Sequence, residues 1–143
     1  MAELITQRVQ TGYRALLRAA RNNVASGDIK KIRRALDLAI TACGDKIILT
    51  GEPEIEHALS VARIVAGEMG LDLTSIITAL LHDSYNDLEI DHKQLEKEFG
   101  PKVVEILKGF SRVTSINSMQ ASYQAENFRK LLLSLAEIGR AHV

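Results

Sequence analysis

Tryptophan is absent, proline occurs twice, and tyrosine and phenylalanine occur three times each, so the 143-residue chain has little material for a β-sandwich. A single cysteine, Cys43, excludes an internal disulfide, and without a Cys-x-x-Cys partner it carries no zinc signature. It reads as a small buried apolar side chain. Runs of uncharged apolar residues fall short of the roughly 20 needed to cross a bilayer. The opening MAELITQRVQ lacks the charged and apolar blocks of a signal peptide. A cytoplasmic location with no membrane partner is the expectation. Net charge is also absent, since 18 basic and 18 acidic side chains cancel, and direct DNA binding is not expected. The sum hides an asymmetry: residues 1–40 hold eight basic and three acidic side chains, residues 52–105 four and twelve. The acidic half is where a cation would be welcome.

What is present is 46% hydrophobic residues, enough for one globular domain with a core, at helical spacing almost throughout. The expected fold class is all-α. Ile5, Val9, Tyr13, Leu16, Leu17 and Ala20 predict a first helix over about 4–24, with Arg8, Arg14, Arg18 and Arg21 on its solvated face. Asp28 is placed to cap a second helix over about 29–43, on Ile32, Ala35, Leu36, Ala39 and Ile40. Residues 44–53 read as a loop, with Ile47-Ile48-Leu49 too brief to demand a sheet. Pro53 suits the first turn of a third helix that Gly70 stops. Thr74–Leu81 leaves almost no polar face and predicts a buried central helix. Asp91 and Gln94 have capping-box spacing for a short helix through Phe99, and Gly100-Pro101 opens another on Val103, Val104, Ile106 and Leu107. A loop over about 111–121 and a last helix carrying Phe128, Leu131, Leu132 and Leu135 complete the reading.

The chemistry concentrates at Leu80-Leu81-His82-Asp83. Imidazole and carboxylate side by side, at the end of the most buried helix, suit a divalent transition metal, and ionisable groups there need a partner. His57, one turn into the preceding helix, is a further donor, although antiparallel packing does not by itself bring its end beside His82. A hydrogen-bonded core histidine is the competing reading of either residue. Asp83–Asp87 is no calcium loop, because Tyr85 sits at a ligand position and Leu88 where glycine is needed. His92, beside the cap Asp91, reads as a solvated helix-start residue.

Gly51-Glu52-Pro53 with His57, Val61-Ala62-Arg63-Ile64, Ala79-Leu80-Leu81-His82-Asp83, Phe99-Gly100 and Gln124-Ala125-Glu126-Asn127-Phe128-Arg129-Lys130 occur in the order of the RelA/SpoT family's N-terminal hydrolase domain. Over roughly residues 28–136 the chain resembles that domain, an HD-type helical bundle. The resemblance implies removal of the 3′-pyrophosphate of ppGpp and pppGpp with Mn²⁺, in a protein that also carries a synthetase domain. It implies His57, His82 and Asp83 as metal ligands and Asp87 as a residue that positions and deprotonates the attacking water. Asn86 replaces the family's glutamate before that Asp and cannot take a proton. Ile48 replaces an arginine suited to holding guanine, and Ala58 replaces a proline.

The family's later Asp ligand lies in a segment that has no counterpart here. Residues 1–137 are therefore expected to form an incomplete hydrolase-like domain. Residues 138–143, which resemble a translated sequencing adapter, are expected to be a non-native tail in which His142 has no role. The resemblance implies a hydrolase weakened in this chain, or a degenerate domain that regulates a (p)ppGpp synthetase.

Overall fold

The computed structural model describes residues 2–111, 125, 126, 129 and 130. Six helices succeed one another among them: α1 (Ala2–Ala20), α2 (Ile29–Cys43), α3 (Glu54–Arg63), α4 (Leu73–Leu81), α5 (His92–Phe99) and α6 (Pro101–Ser111). The all-α expectation holds. The loop over 111–121, the last helix's apolar residues and the 138–143 tail lie outside the described residues, apart from helical backbone at 125–126 and 129–130.

The predicted central helix is central. Ile76, Ile77, Ala79, Leu80 and Leu81 are all buried, and α4 packs against α2, α3 and α6 at once. Burying a Leu or Ile side chain contributes about 1.5–3 kcal/mol, so this apolar strip anchors the fold and fixes the position of the next two residues, His82 and Asp83. Asp72 starts α4 as an N-cap, its Oδ1 accepting from the Ser75 amide at 3.1 Å and the Ser75 hydroxyl at 2.9 Å. At the end of α3 the chain widens into a π turn over Ile64–Glu68, closed by the Met69 amide on the Ile64 carbonyl at 3.0 Å. Gly70, at φ +64°, then breaks the helix as expected.

The two glycines at the α1 contact permit close approach. A Cβ on Gly12 would meet Leu59 Cδ1 at 3.2 Å, and one on Gly67 would meet Ala19 Cβ at 3.1 Å. The arginines of α1 lie on its solvated side as expected.

Several local expectations need correction. α1 ends at Ala20, short of 24. Asp28 makes no capping hydrogen bond, because a 3₁₀ turn over Ser26–Asp28 leads directly into α2 and already holds Asp28 in helical backbone geometry. Ile40 is 40% exposed, whereas Leu38 is buried in the core. Asp91 caps α5 through the Gln94 amide at 2.7 Å, but the Gln94 side chain turns to Glu98 at 3.5 Å, so the box is only half made. Pro53 is extended, at ψ 136°, and precedes the helix.

The segment 44–53 is more ordered than a plain loop. Ile47 and Pro53 form an antiparallel bridge, the Ile48 amide donates to the Glu52 carbonyl at 2.9 Å, and the Gly51 amide closes on the Ile48 carbonyl at 2.9 Å. Gly51 sits at φ +90°, which only glycine adopts without strain. This miniature hairpin delivers the chain into α3 in a fixed direction.

Candidate metal and phosphohydrolase centre

The packing of α3 on α4 brings His57, His82 and Asp83 together, as anticipated only in part from their spacing. Asp83 is the second residue after α4, and its side chain is 5% exposed between the two imidazoles. His82 Nε2 stands 3.1 Å from Asp83 Oδ1, and His57 Nε2 stands 3.8 Å from Asp83 Oδ2. Both histidines are buried.

The other ring nitrogen of each histidine also has a partner. His82 Nδ1 lies 2.6 Å from the Ala79 carbonyl, and His57 Nδ1 lies 3.4 Å from a Glu52 carboxylate oxygen. An acceptor at Nδ1 favours the tautomer with the proton there and turns the Nε2 lone pair toward Asp83. His82 Nε2 and Asp83 Oδ1, 3.1 Å apart, are bridged either by a proton on the imidazole or by a metal ion on its lone pair. Burial alone would push the Asp83 carboxyl up. Attraction to His82, the hydrogen bond with it and attraction to His57 outweigh that and hold the carboxyl below its ordinary range.

Asp83 Oδ2 is buried and has no hydrogen-bond partner, which is costly for a carboxylate oxygen unless a cation completes it. Two imidazole nitrogens and a carboxylate match the donor preferences of a divalent transition metal. Among the described residues no three donors stand as a closed cage, and the assembly is two contacts meeting at one carboxylate.

Glu52 is a residue whose role sequence reasoning missed. It was legible only as part of Gly51-Glu52-Pro53, but its carboxylate orients His57, as carboxylates behind metal-binding histidines commonly do. Glu54 is a second. Burial first raises its carboxyl above the ordinary value, the neighbouring Cys43 thiol lowers it, and the charge of Asp83 raises it again. Cys43 itself is fully buried, as expected, and burial together with the charge of Glu54 pushes its thiol well above the usual range.

Asn86 and Asp87 lie on a 3₁₀ turn, Tyr85–Asp87, immediately after the histidine-aspartate pair, and both are exposed. Asp87 Oδ2 accepts from Lys46 Nζ at 2.6 Å. Tyr85 braces the turn, with its hydroxyl 2.9 Å from His92 Nε2 and the two rings stacked 5.5 Å apart. His92 is thus exposed as expected but has a partner. Ile48 lies half-buried in the hairpin, and Ala58 is fully buried.

The HD domain description matches residues 35–141. The chain is 39% identical over 76% of its length to a guanosine-3′,5′-bis(diphosphate) 3′-pyrophosphohydrolase of Aquifex aeolicus, covering 15% of that protein. It is 36% identical over 76% of its length to the bifunctional (p)ppGpp synthase/hydrolase SpoT of Escherichia coli, covering 16% of it. Against a GTP pyrophosphokinase of Myxococcus xanthus the identity is 32% over 77% of the chain and 15% of the relative. The chain therefore spans a small part of each relative, and it belongs to the HD-domain family, within which it is similar to the RelA/SpoT proteins.

Proposed function

We propose that this chain is the N-terminal part of a RelA/SpoT-type protein and that its site acts on the 3′-pyrophosphate of ppGpp or pppGpp, weakly because Asn86 replaces a carboxylate. The observation that carries the reading is the Asp83 carboxylate held between two inward-facing imidazole nitrogens, with a buried oxygen lacking a partner. His57, His82 and Asp83 would hold the metal, with Mn²⁺ as the proposed ion. When bound, such an ion supplies Lewis-acid polarisation of a phosphoryl oxygen and a more acidic water.

The remaining work falls to the chain's own groups. Glu52 and the Ala79 carbonyl hold the outer ring nitrogens of the two imidazoles, which limits how far the donors must move to close on an ion. Asp87, on the exposed turn, is the carboxylate available to orient and deprotonate water, and Asn86 contributes a hydrogen bond only. Residues 1–137 would form the domain, while 138–143 would be foreign to it. The activities of the pyrophosphohydrolase, synthase/hydrolase and pyrophosphokinase relatives support guanine nucleotide as ligand and a synthetase domain in the longer parent. Among the described residues no helix is long and apolar enough to cross a membrane.

The second reading is a degenerate domain that regulates a synthetase. Asn86, which cannot take a proton, favours it. Pyrophosphate release from ppGpp in Mn²⁺, measured for the chain and for Asn86→Glu, separates the two. The hydrolase reading expects a wild-type rate below roughly 1 per second and a gain of about a hundredfold with glutamate. Bound ppGpp with no turnover in either protein would count against the Asn86 lesion and favour the regulatory reading instead.

A further inference from the structure

His57 and the His82-Asp83 pair come from separate segments, and one ion pair joins the hairpin that precedes His57 to the turn that follows Asp83. Lys46 Nζ reaches Asp87 Oδ2 at 2.6 Å, with both side chains about half exposed. The backbone around Lys46 is fixed on both sides. Its amide donates to the Cys43 carbonyl at the end of α2 at 3.0 Å, and its carbonyl accepts from the Glu54 amide at the start of α3 at 2.9 Å. The adjacent Ile47–Pro53 bridge closes the hairpin that leads to His57. At the other end of the pair, the Asp87 amide is tied at 2.9 Å to the carbonyl of Ser84, the residue next to the metal-ligand candidate Asp83. Lys46 also lies within the field of Glu54, so its ammonium offsets two carboxylates that would otherwise repel each other.

We infer that Lys46 is a positioning residue: by holding Asp87 it clasps the hairpin that carries the chain to His57 onto the turn just beyond His82 and Asp83. This rests on the metal-site reading above. An exposed lysine with its backbone pinned and its side chain reaching another segment does not behave as a free solvated charge. The clasp sets the spacing of donors brought together by α3 and α4, and it fixes the carboxylate proposed to orient water. Exposed ion pairs are individually weak, so the clasp tunes the site by a small factor.

The test compares wild type with Lys46→Met, Lys46→Arg and, as a control on another exposed pair, Arg33→Ala. Calorimetry with MnCl₂ is expected to show about twofold to fivefold weaker binding for Lys46→Met. Lys46→Arg, which restores the cation, should stay within about twofold of wild type, and Arg33→Ala should not differ from it. Amide hydrogen exchange on the metal-free proteins is expected to quicken at residues 84–88 in Lys46→Met alone. Unchanged exchange there in Lys46→Met would overturn the clasp. So would weaker ppGpp binding with unaltered Mn²⁺ affinity, which would make Lys46 a direct phosphate contact. If wild type binds no Mn²⁺, the metal-site reading fails, and the exchange comparison still decides whether Lys46 holds the turn.

Discussion

His57, on α3, and Asp83, two residues past the end of α4, meet at 3.8 Å between Nε2 and Oδ2, so the site depends on two helices keeping their relative position. Neither residue could be paired with the other from spacing alone. Their contact arises from the apolar face of α4, which α3 covers.

Removing Asp83's charge is expected to abolish metal binding. In Asp83→Asn the central carboxylate becomes an amide, a poor ligand for a transition metal, and both imidazoles lose the anion that they face. Calorimetry or Mn²⁺ electron paramagnetic resonance should show affinity at least about a hundredfold below wild type. Affinity within a factor of about three would remove Asp83 from the ligand set.

Asp72→Ala should separate stability from the site. The substitution removes the acceptor for the Ser75 amide and hydroxyl at the first turn of α4, at the end opposite His82. A loss of about 1 kcal/mol is expected in urea unfolding, with Mn²⁺ affinity unchanged for the folded protein. A larger effect on metal affinity than on unfolding would show that the cap reaches the site.

The Arg34–Glu98 pair gives a pH prediction. Arg34 Nε and a second guanidinium nitrogen bond the two Glu98 oxygens at 2.8 and 3.3 Å, tying α2 to α5. That hydrogen bonding, against a smaller effect of burial, lowers the Glu98 carboxyl from 4.5. A lowered carboxyl contributes stability that is present above its unfolded value and is lost as pH falls through the folded one. Glu98→Gln should therefore cost about 0.5 kcal/mol at pH 7, and the difference from wild type should shrink below about pH 4. Thermal melts of both proteins at the two pH values check this, and a difference that grows in acid would contradict it.

The helices were legible where burial imposes a period. α2 begins at Ile29 and ends at Cys43, the predicted bounds, because its apolar positions recur on one face and Gly44 comes next. The site was legible as residue types at a helix end, since His82 and Asp83 break an otherwise apolar segment. What remained hidden was set by contacts between distant segments. Lys46 and Asp87 carry no pattern that pairs them, and Glu52 reaches His57 only because the hairpin turns the chain back before α3. Asp28 shows the reverse failure, a residue with the chemistry of a cap in a place where a 3₁₀ turn leaves it nothing to cap.

The π turn at the end of α3 has an angular consequence. In a regular α-helix eight residues advance about 80° beyond two full turns, so Leu59 and Gly67 would point in clearly different directions. The wider turn over Ile64–Glu68 rotates less per residue and cancels most of that drift. Leu59 and Gly67 thereby face the same neighbour, where they meet Gly12 and Ala19 of α1. Deleting a single residue from the turn would swing Gly67 out of line with Ala19 and leave the N-terminal helix seated at one end only.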